Sequence, residues 1–301
     1  MNWLDRAISL SLPLVPKPIV RRFSGRYIAG ETIDEALAVV RALRAEGAMT
    51  TIDILGEFIS SREEARANTE AYSELLGRIR SERIDQTNVS VKLTALGLLL
   101  DPELCLTHMR TLFDQVSGAG DFIRIDMEDS SCTNRTLDVY RALRGEYGER
   151  VGIVLQARLR RTLEDIDEIG RQPANVRLCK GIYLEPRDIA YTGAELIRRN
   201  FVRSLDRLFE LGCYVGIATH DELLVWESER LIRERRLSAD DYEFQMLLGV
   251  DEQLRRILIG SGHRLRVYVP YGPNWYAYSV RRLRENPQIA GYAFRSILRS
   301  G

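Results

Sequence analysis

The chain has 301 residues, 45% hydrophobic and 29% charged, which suffices for one large core or two small ones. Lys plus Arg and Asp plus Glu each total 43, so no basic excess points to nucleic acid, and no nucleic-acid partner is expected. Cys105, Cys132, Cys179 and Cys213 have no CxxC spacing and His108, His220 and His263 are scattered, so neither a disulfide framework nor a metal site is expected, and reduced thiols in a cytoplasmic protein fit better.

Residues 1–23 carry a short apolar run, Ala7 to Val15, broken by Pro13. It lacks the basic lead of a secretory signal and the roughly 20 apolar residues of a membrane span. It reads as an arm packed on the domain, and the sharper reading is a weak contact at the inner face of a bilayer. Thr32 and Glu35 form a capping box opening a helix to about Ala45. A strand is expected over Thr50–Phe58, then a second capping box at Ser61–Glu64 and a helix to about Glu82. Strand two is Val89–Leu96, and Asp101–Pro102 start the next helix. Strand three is Phe122–Asp129, with a helix over Asn134–Tyr147. Strand four is Gly152–Ala157, with a helix over Leu163–Arg171. Strand five is Val176–Gly181, with a helix over Ile189–Leu211. Strand six is Tyr214–His220, with a helix over Glu222–Arg236. Strand seven is Tyr242–Gly249, and Asp251 caps a helix to Gly260. Strand eight is Arg264–Pro270, with a helix from Trp275.

Steady alternation of this kind predicts a parallel sheet, and eight units over about 250 residues match a closed (β/α)8 barrel. An open doubly wound sheet normally carries a glycine-rich loop after its first strand, and LGEFISS is not one. One domain is expected: arm and helix over 1–46, barrel over 47–286 and a closing helix over 287–301.

Barrel chemistry sits at the C-terminal strand ends. The polar residues expected there are Lys92, Asp126, Glu128, Asp129, Gln156, Arg177, Lys180, Thr219, His220 and Tyr268. Charged side chains inside strands are costly unless paired, so their shared placement at one end reads as a site. The helix after strand eight puts Tyr278, Arg281, Arg282 and Glu285 on one face, where paired guanidiniums suit two-point capture of a small carboxylate.

Ser90–Leu93 (SVKL), Arg124–Glu128 (RIDME), Val154–Gln156 (VLQ), Val176–Tyr183 (VRLCKGIY), Ala218–His220 (ATH), Glu243–Leu247 (EFQML) and Tyr268–Gly272 (YVPYG), with Tyr278 and the Arg281–Arg282–Glu285 helix, together resemble proline dehydrogenase. The resemblance runs in order from about Ile28 to Asn286 and is similar to the monofunctional bacterial form. It implies a distorted (β/α)8 barrel, the eighth helix over its mouth, holding FAD non-covalently. It also implies oxidation of L-proline to Δ1-pyrroline-5-carboxylate, with electrons passed to a quinone-type acceptor, usually at the membrane.

Carried over by resemblance, Arg281 and Arg282 clamp the substrate carboxylate with Lys92 as third cation, and Glu285 holds the clamp. Asp126 orders the cations, and Tyr268, Tyr278 and Leu247 wall the pyrrolidine ring. Arg177 stands by flavin N5 and Gln156 at the isoalloxazine edge. Lys180, Gly181, Thr219 and His220 hold the rest of the cofactor. Ile182 and Cys179 depart from the usual RLVKGAY, and Ile182 would narrow the pocket. Arg158 replaces a common aromatic and would alter flavin contacts. A Schiff-base aldolase using Lys92 or Lys180 is the rival reading.

Overall fold

Four helices begin where a side-chain oxygen can accept an otherwise orphaned backbone N–H. In the computed structural model, which describes residues 25–57, 59–116, 122–276 and 279, α1 spans Ile33–Ala45. Thr32 Oγ1 accepts from Glu35 N and the Glu35 carboxylate accepts from Thr32 N, the reciprocal box expected. At α2 (Arg62–Ser81), Ser61 accepts from Glu64 N at 3.2 Å, but Glu64 accepts from Ser60 N, so that box is offset by one residue. Asp101 caps α3 (Pro102–Asp114) with Pro at its start, and Asp251 caps α8 (Glu252–Gly260).

The other α-helices bounded within the described residues are α4 (Thr133–Tyr147), α5 (Thr162–Ile169), α6 (Ala194–Glu210) and α7 (Glu222–Arg235). The strands are β1 (Met49–Ile54), β2 (Thr87–Val91), β3 (Ile123–Ile125), β4 (Val151–Gln156), β5 (Asn175–Cys179), β6 (Tyr214–Ala218), β7 (Tyr242–Leu247) and β8 (Leu265–Tyr271). They pair in sequence order, all parallel, and β1 closes on β8, so the expected (β/α)8 barrel is the observed fold.

Four expected elements differ by more than two residues, the first being strand one, which stops at Ile54 rather than Phe58. Strand two stops at Val91, and Leu93–Leu96 wind into a 3-10 turn ended by left-handed Gly97. Glu128 drives that turn by accepting from both Thr94 N and Thr94 Oγ1. Strand three keeps only Ile123–Ile125, although Asp126 N still donates to Val91 O. Helix α6 starts at Ala194 rather than Ile189. The preceding loop is tied instead to the β4 side, with Tyr191 N donating to Arg158 O at 2.8 Å.

The strands alternate strictly. Val89, Val91, Ile123, Ile125, Ile153, Val176, Leu178, Val215, Ile217, Val267 and Val269 are buried in the layer between sheet and helices. Each such side chain contributes about 1.5–3 kcal/mol relative to exposure. The other face of the strands fills the barrel interior, and it is polar. Arg124, Arg177, Arg266 and Lys92 are all buried, as are Asp53, Asp126 and Glu243. Branched apolar side chains usually fill such barrels. Two glycines make room for the large polar ones: a Cβ on Gly152 would lie 2.6 Å from the Arg124 guanidinium, and one on Gly216 2.3 Å from Gln245 Nε2.

The stretch before α1 meets the mouth end of β8. Ala29 N donates to Pro270 O and Gly272 N to Gly30 O. Among the described residues no helix is long and apolar enough to cross a membrane.

Candidate active site

At the mouth, six strands bring their interior side chains to one cluster, to which β7 contributes Gln245, accepting from Arg177 Nε. Lys92, at the end of β2, donates from Nζ to both Asp53 oxygens, at 2.8 and 2.7 Å. It also donates to Tyr268 Oη at 3.2 Å and lies 3.8 Å from Asp126. Tyr268, on β8, donates to Asp126 Oδ2 at 2.9 Å. Arg177, on β5, reaches across the barrel from Nη1 to Asp126 Oδ1 at 2.7 Å and to Ser90 Oγ at 3.2 Å. Ser90 donates to the same carboxylate at 2.6 Å. The guanidinium lies 5.3 Å from the centre of the Tyr268 ring, a cation–π contact.

Burial and charge pairing together decide the protonation states. Burial would lower the Lys92 ammonium, but Asp53 and Asp126 outweigh it and hold its pKa above the ordinary lysine value. Burial would raise Asp126, but Arg177 and Lys92 keep it below the usual carboxylate range. Asp53 is raised, first by burial and then by the Asp126 charge, against the pull of Lys92. A protonated, doubly bonded Lys92 is a fixed cation and a poor nucleophile. Schiff-base chemistry needs the free amine, so this geometry argues against the aldolase reading at Lys92. Lys180 is likewise paired, to Asp221 Oδ2 at 2.9 Å.

Around the rim, Lys180 and Arg198 share the single carboxylate of Asp221, which leaves net positive charge there. Gly181 has φ +90°, and a Cβ on it would strike Gln156 Oε1 at 2.7 Å. Gln156 Nε2 donates to Glu128 O at 2.8 Å. Ile182 follows on the same loop, half-buried. Arg158 ties the β4 and β5 loops together by donating from Nη1 to Tyr183 O. Thr219 Oγ1 accepts from Asp221 N. His220 Nε2 accepts from Leu247 N at 2.9 Å, which makes that nitrogen the unprotonated one and fixes Leu247 at the end of β7. Glu128 is sealed against Thr94, and burial raises its carboxyl to about 7 against the Thr94 hydrogen bonds and the Lys92 charge. Asp129 accepts from Ser131.

Thus Lys92, Asp126, Arg177 and Tyr268 converge, Leu247 and His220 are joined, and Gln156 and Gly181 touch. Tyr278, Arg281, Arg282 and Glu285 lie outside the described residues. Sequence reasoning missed Asp53, Ser90 and Gln245 as members of the cluster. The signal for Asp53 was available: a carboxylate between two isoleucines in a strand is the same anomaly that marked Lys92.

The family model described as proline dehydrogenase matches residues 36–293. The chain is 36% identical over 274 residues to proline dehydrogenase 1 of Bacillus subtilis subsp. natto, covering 91% of this chain and 90% of that one. It is 36% identical over 278 residues to the proline dehydrogenase of Deinococcus radiodurans, covering 91% and 89%. Among solved structures, proline utilization A (PutA) from Bdellovibrio bacteriovorus, inactivated by N-propargylglycine, superimposes with a TM-score of 0.82 at 28% identity. That match covers 88% of this chain and 32% of the other, so the chain spans about a third of that protein's length. The fold, the family match and the two curated relatives agree, and the chain belongs to the proline dehydrogenase family.

Proposed function

We propose that this chain oxidises L-proline to Δ1-pyrroline-5-carboxylate with non-covalently held FAD, and passes the electrons to a quinone-type acceptor. The observation that carries the reading is the mouth cluster, in which Lys92 is held charged and both Lys92 and Arg177 are aimed by Asp53, Asp126, Ser90 and Tyr268.

The donor set fits the cofactor. The rim at Lys180 and Arg198 has two cations for one carboxylate, which suits a diphosphate. The positive φ and tight packing of Gly181 let the backbone approach a ligand closely. Arg177, Gln156, Asp126, Lys180, Gly181, Ile182, Thr219 and His220 would hold the group. When bound, FAD supplies the acceptor for the two electrons that leave the substrate.

On this reading Lys92 supplies one fixed positive charge for the substrate carboxylate. Its own partners are side chains, so an arriving carboxylate can replace part of their contact. The resemblance adds Arg281 and Arg282 to that clamp, with Glu285 ordering them. Tyr268, Tyr278 and Leu247 would bound the ring. Arg177 keeps positive charge where negative charge develops on reduction. The pooled cations also favour loss of the amine proton, so the rate is expected to rise with pH. A flat rate from mildly acidic to alkaline pH would count against that step. One domain at the cytoplasmic face, with a weak peripheral contact of residues 1–23, which lie outside the described residues, as its sharper form, completes the proposal.

The test is the absorbance spectrum of purified protein before and after anaerobic L-proline. Flavin bands that bleach are expected. Protein without such bands, and unable to take up added FAD, would overturn the reading.

A further inference from the structure

Arg177 is held from behind as well as from the mouth. Its Nε–H donates to Gln245 Oε1 on β7, and Gln245 Nε2 donates to Glu243 Oε1 at 2.6 Å. Glu243 is gripped at both oxygens by Arg266, at 2.7 and 3.0 Å, and accepts from Tyr214 Oη at 2.9 Å. Burial acts to raise the Glu243 carboxyl, but Arg266 and these donors outweigh it and bring it down to about 2.

An ionised carboxylate can only accept hydrogen bonds. Gln245 must therefore turn its NH2 toward Glu243, which leaves its carbonyl facing Arg177. Gly216 closes the other side, since a side chain there would collide with Gln245. The Gln245 amide therefore has a single orientation. Two edges of the Arg177 fork are thereby occupied, Nε by Gln245 and Nη1 by Asp126 and Ser90. Among the described residues, Nη2 has no acceptor and is the part left to face a ligand.

We infer that Gln245, oriented by Glu243 and housed by Gly216, is a positioning residue that sets the direction of the Arg177 charge at the flavin. This rests on the proposed placement of Arg177 beside the cofactor. Without Gln245, the guanidinium is free to slide further onto Asp126 and Ser90, and Nη2 loses its fixed direction.

The experiment is a reductive titration of the FAD-loaded protein, comparing the midpoint potential of wild type, Arg177→Met and Gln245→Met. Gln245→Met leaves the Glu243–Arg266 pair intact. Gly216→Ala, which displaces Gln245 without deleting it, serves as a second variant if the first fails to fold. Loss of one charge-assisted contact predicts about a tenfold weaker preference for reduced flavin in Gln245→Met, a fall of about 30 mV for a two-electron couple. The expected kinetic companion is a lower kcat with little change in KM. A lower potential in Arg177→Met with unchanged values in both Gln245→Met and Gly216→Ala would overturn the inference. Unchanged potentials in all three would overturn the placement of Arg177 itself, and the inference with it.

Discussion

The barrel interior holds two charged networks, one at its floor and one at its mouth, and they are built differently. At the floor, guanidiniums are anchored largely to backbone. Arg266 donates to Thr50 O and Gln86 O as well as gripping Glu243, and Arg124 donates to Asn175 O, Ile153 O and the Asn175 side chain. At the mouth, Lys92 and Arg177 are held by side chains: Asp53, Tyr268, Asp126, Ser90 and Gln245. A backbone carbonyl in a strand cannot leave its place, whereas a carboxylate or hydroxyl can rotate toward a new partner. The floor is therefore suited to stability and the mouth to exchange with a ligand.

The largest expected effect tests the floor. Arg266→Met would leave Glu243 buried without its bidentate partner. Breaking one side of a buried pair costs about 3–5 kcal/mol, which should appear as an earlier urea midpoint. The pH dependence sharpens this. The depressed Glu243 pKa contributes stability that is present above the ordinary glutamate range and is lost as pH falls toward about 2. In Arg266→Met the Glu243 pKa rises, so that loss should begin at higher pH. Unchanged stability would erase the distinction between the two networks.

The mouth should respond through activity. Lys92→Met is expected to lower kcat/KM for proline by about 10²–10³, the range for deleting a preorganised donor. A loss below about tenfold would remove Lys92 from the proposed carboxylate site.

A third variant concerns a carboxyl that belongs to neither network. Glu128 is raised to about 7, chiefly by burial, against the hydrogen bonds from Thr94. A raised carboxyl contributes stability that is intact below its unfolded pKa and is lost as pH climbs through the folded value. Stability should therefore decline between about pH 4.5 and pH 7. Glu128→Gln keeps the shape and removes the ionisation, so its curve should be flatter. The gain over wild type at pH 8 is on the order of 2–3 kcal/mol. Parallel denaturation curves for the two proteins would refute the assignment.

Much of this was legible in the sequence, for identifiable reasons. The eight β/α units are readable because caps such as Thr32 and Asp101 are local and each strand is a short apolar run. Lys92 and Arg177 stood out because a charge among apolar residues violates the pattern of a buried strand. Their partners were harder to see. Whether Arg124 and Arg266 point into the barrel depends on strand parity, and a shift of one residue reverses it. The Gln245–Arg177 contact joins residues 68 apart, and no spacing rule predicts it. Strand ends were overextended where tertiary hydrogen bonds end the ladder, as at Thr94, whose bonds to Glu128 convert a strand-like LTAL into a turn.

The smallest effect tests whether the mouth depends on shared side-chain partners. Tyr268 Oη accepts from Lys92 and donates to Asp126, so one hydroxyl bridges the cation and the carboxylate. Tyr268→Phe keeps the ring and its contacts with Arg177 and Lys92 while removing the bridge. Lys92 then retains Asp53, and Asp126 retains Arg177 and Ser90, so the cluster should survive with looser geometry. Hydrogen bonds to charged groups contribute about 1.5–3 kcal/mol, but each lost contact here leaves others in place. The expected loss in kcat/KM for proline is therefore about tenfold, roughly 1.4 kcal/mol, with thermal stability little changed. A drop as deep as that of Lys92→Met would mean that the hydroxyl acts on substrate directly. No drop would mean that Asp53 alone is enough to hold Lys92.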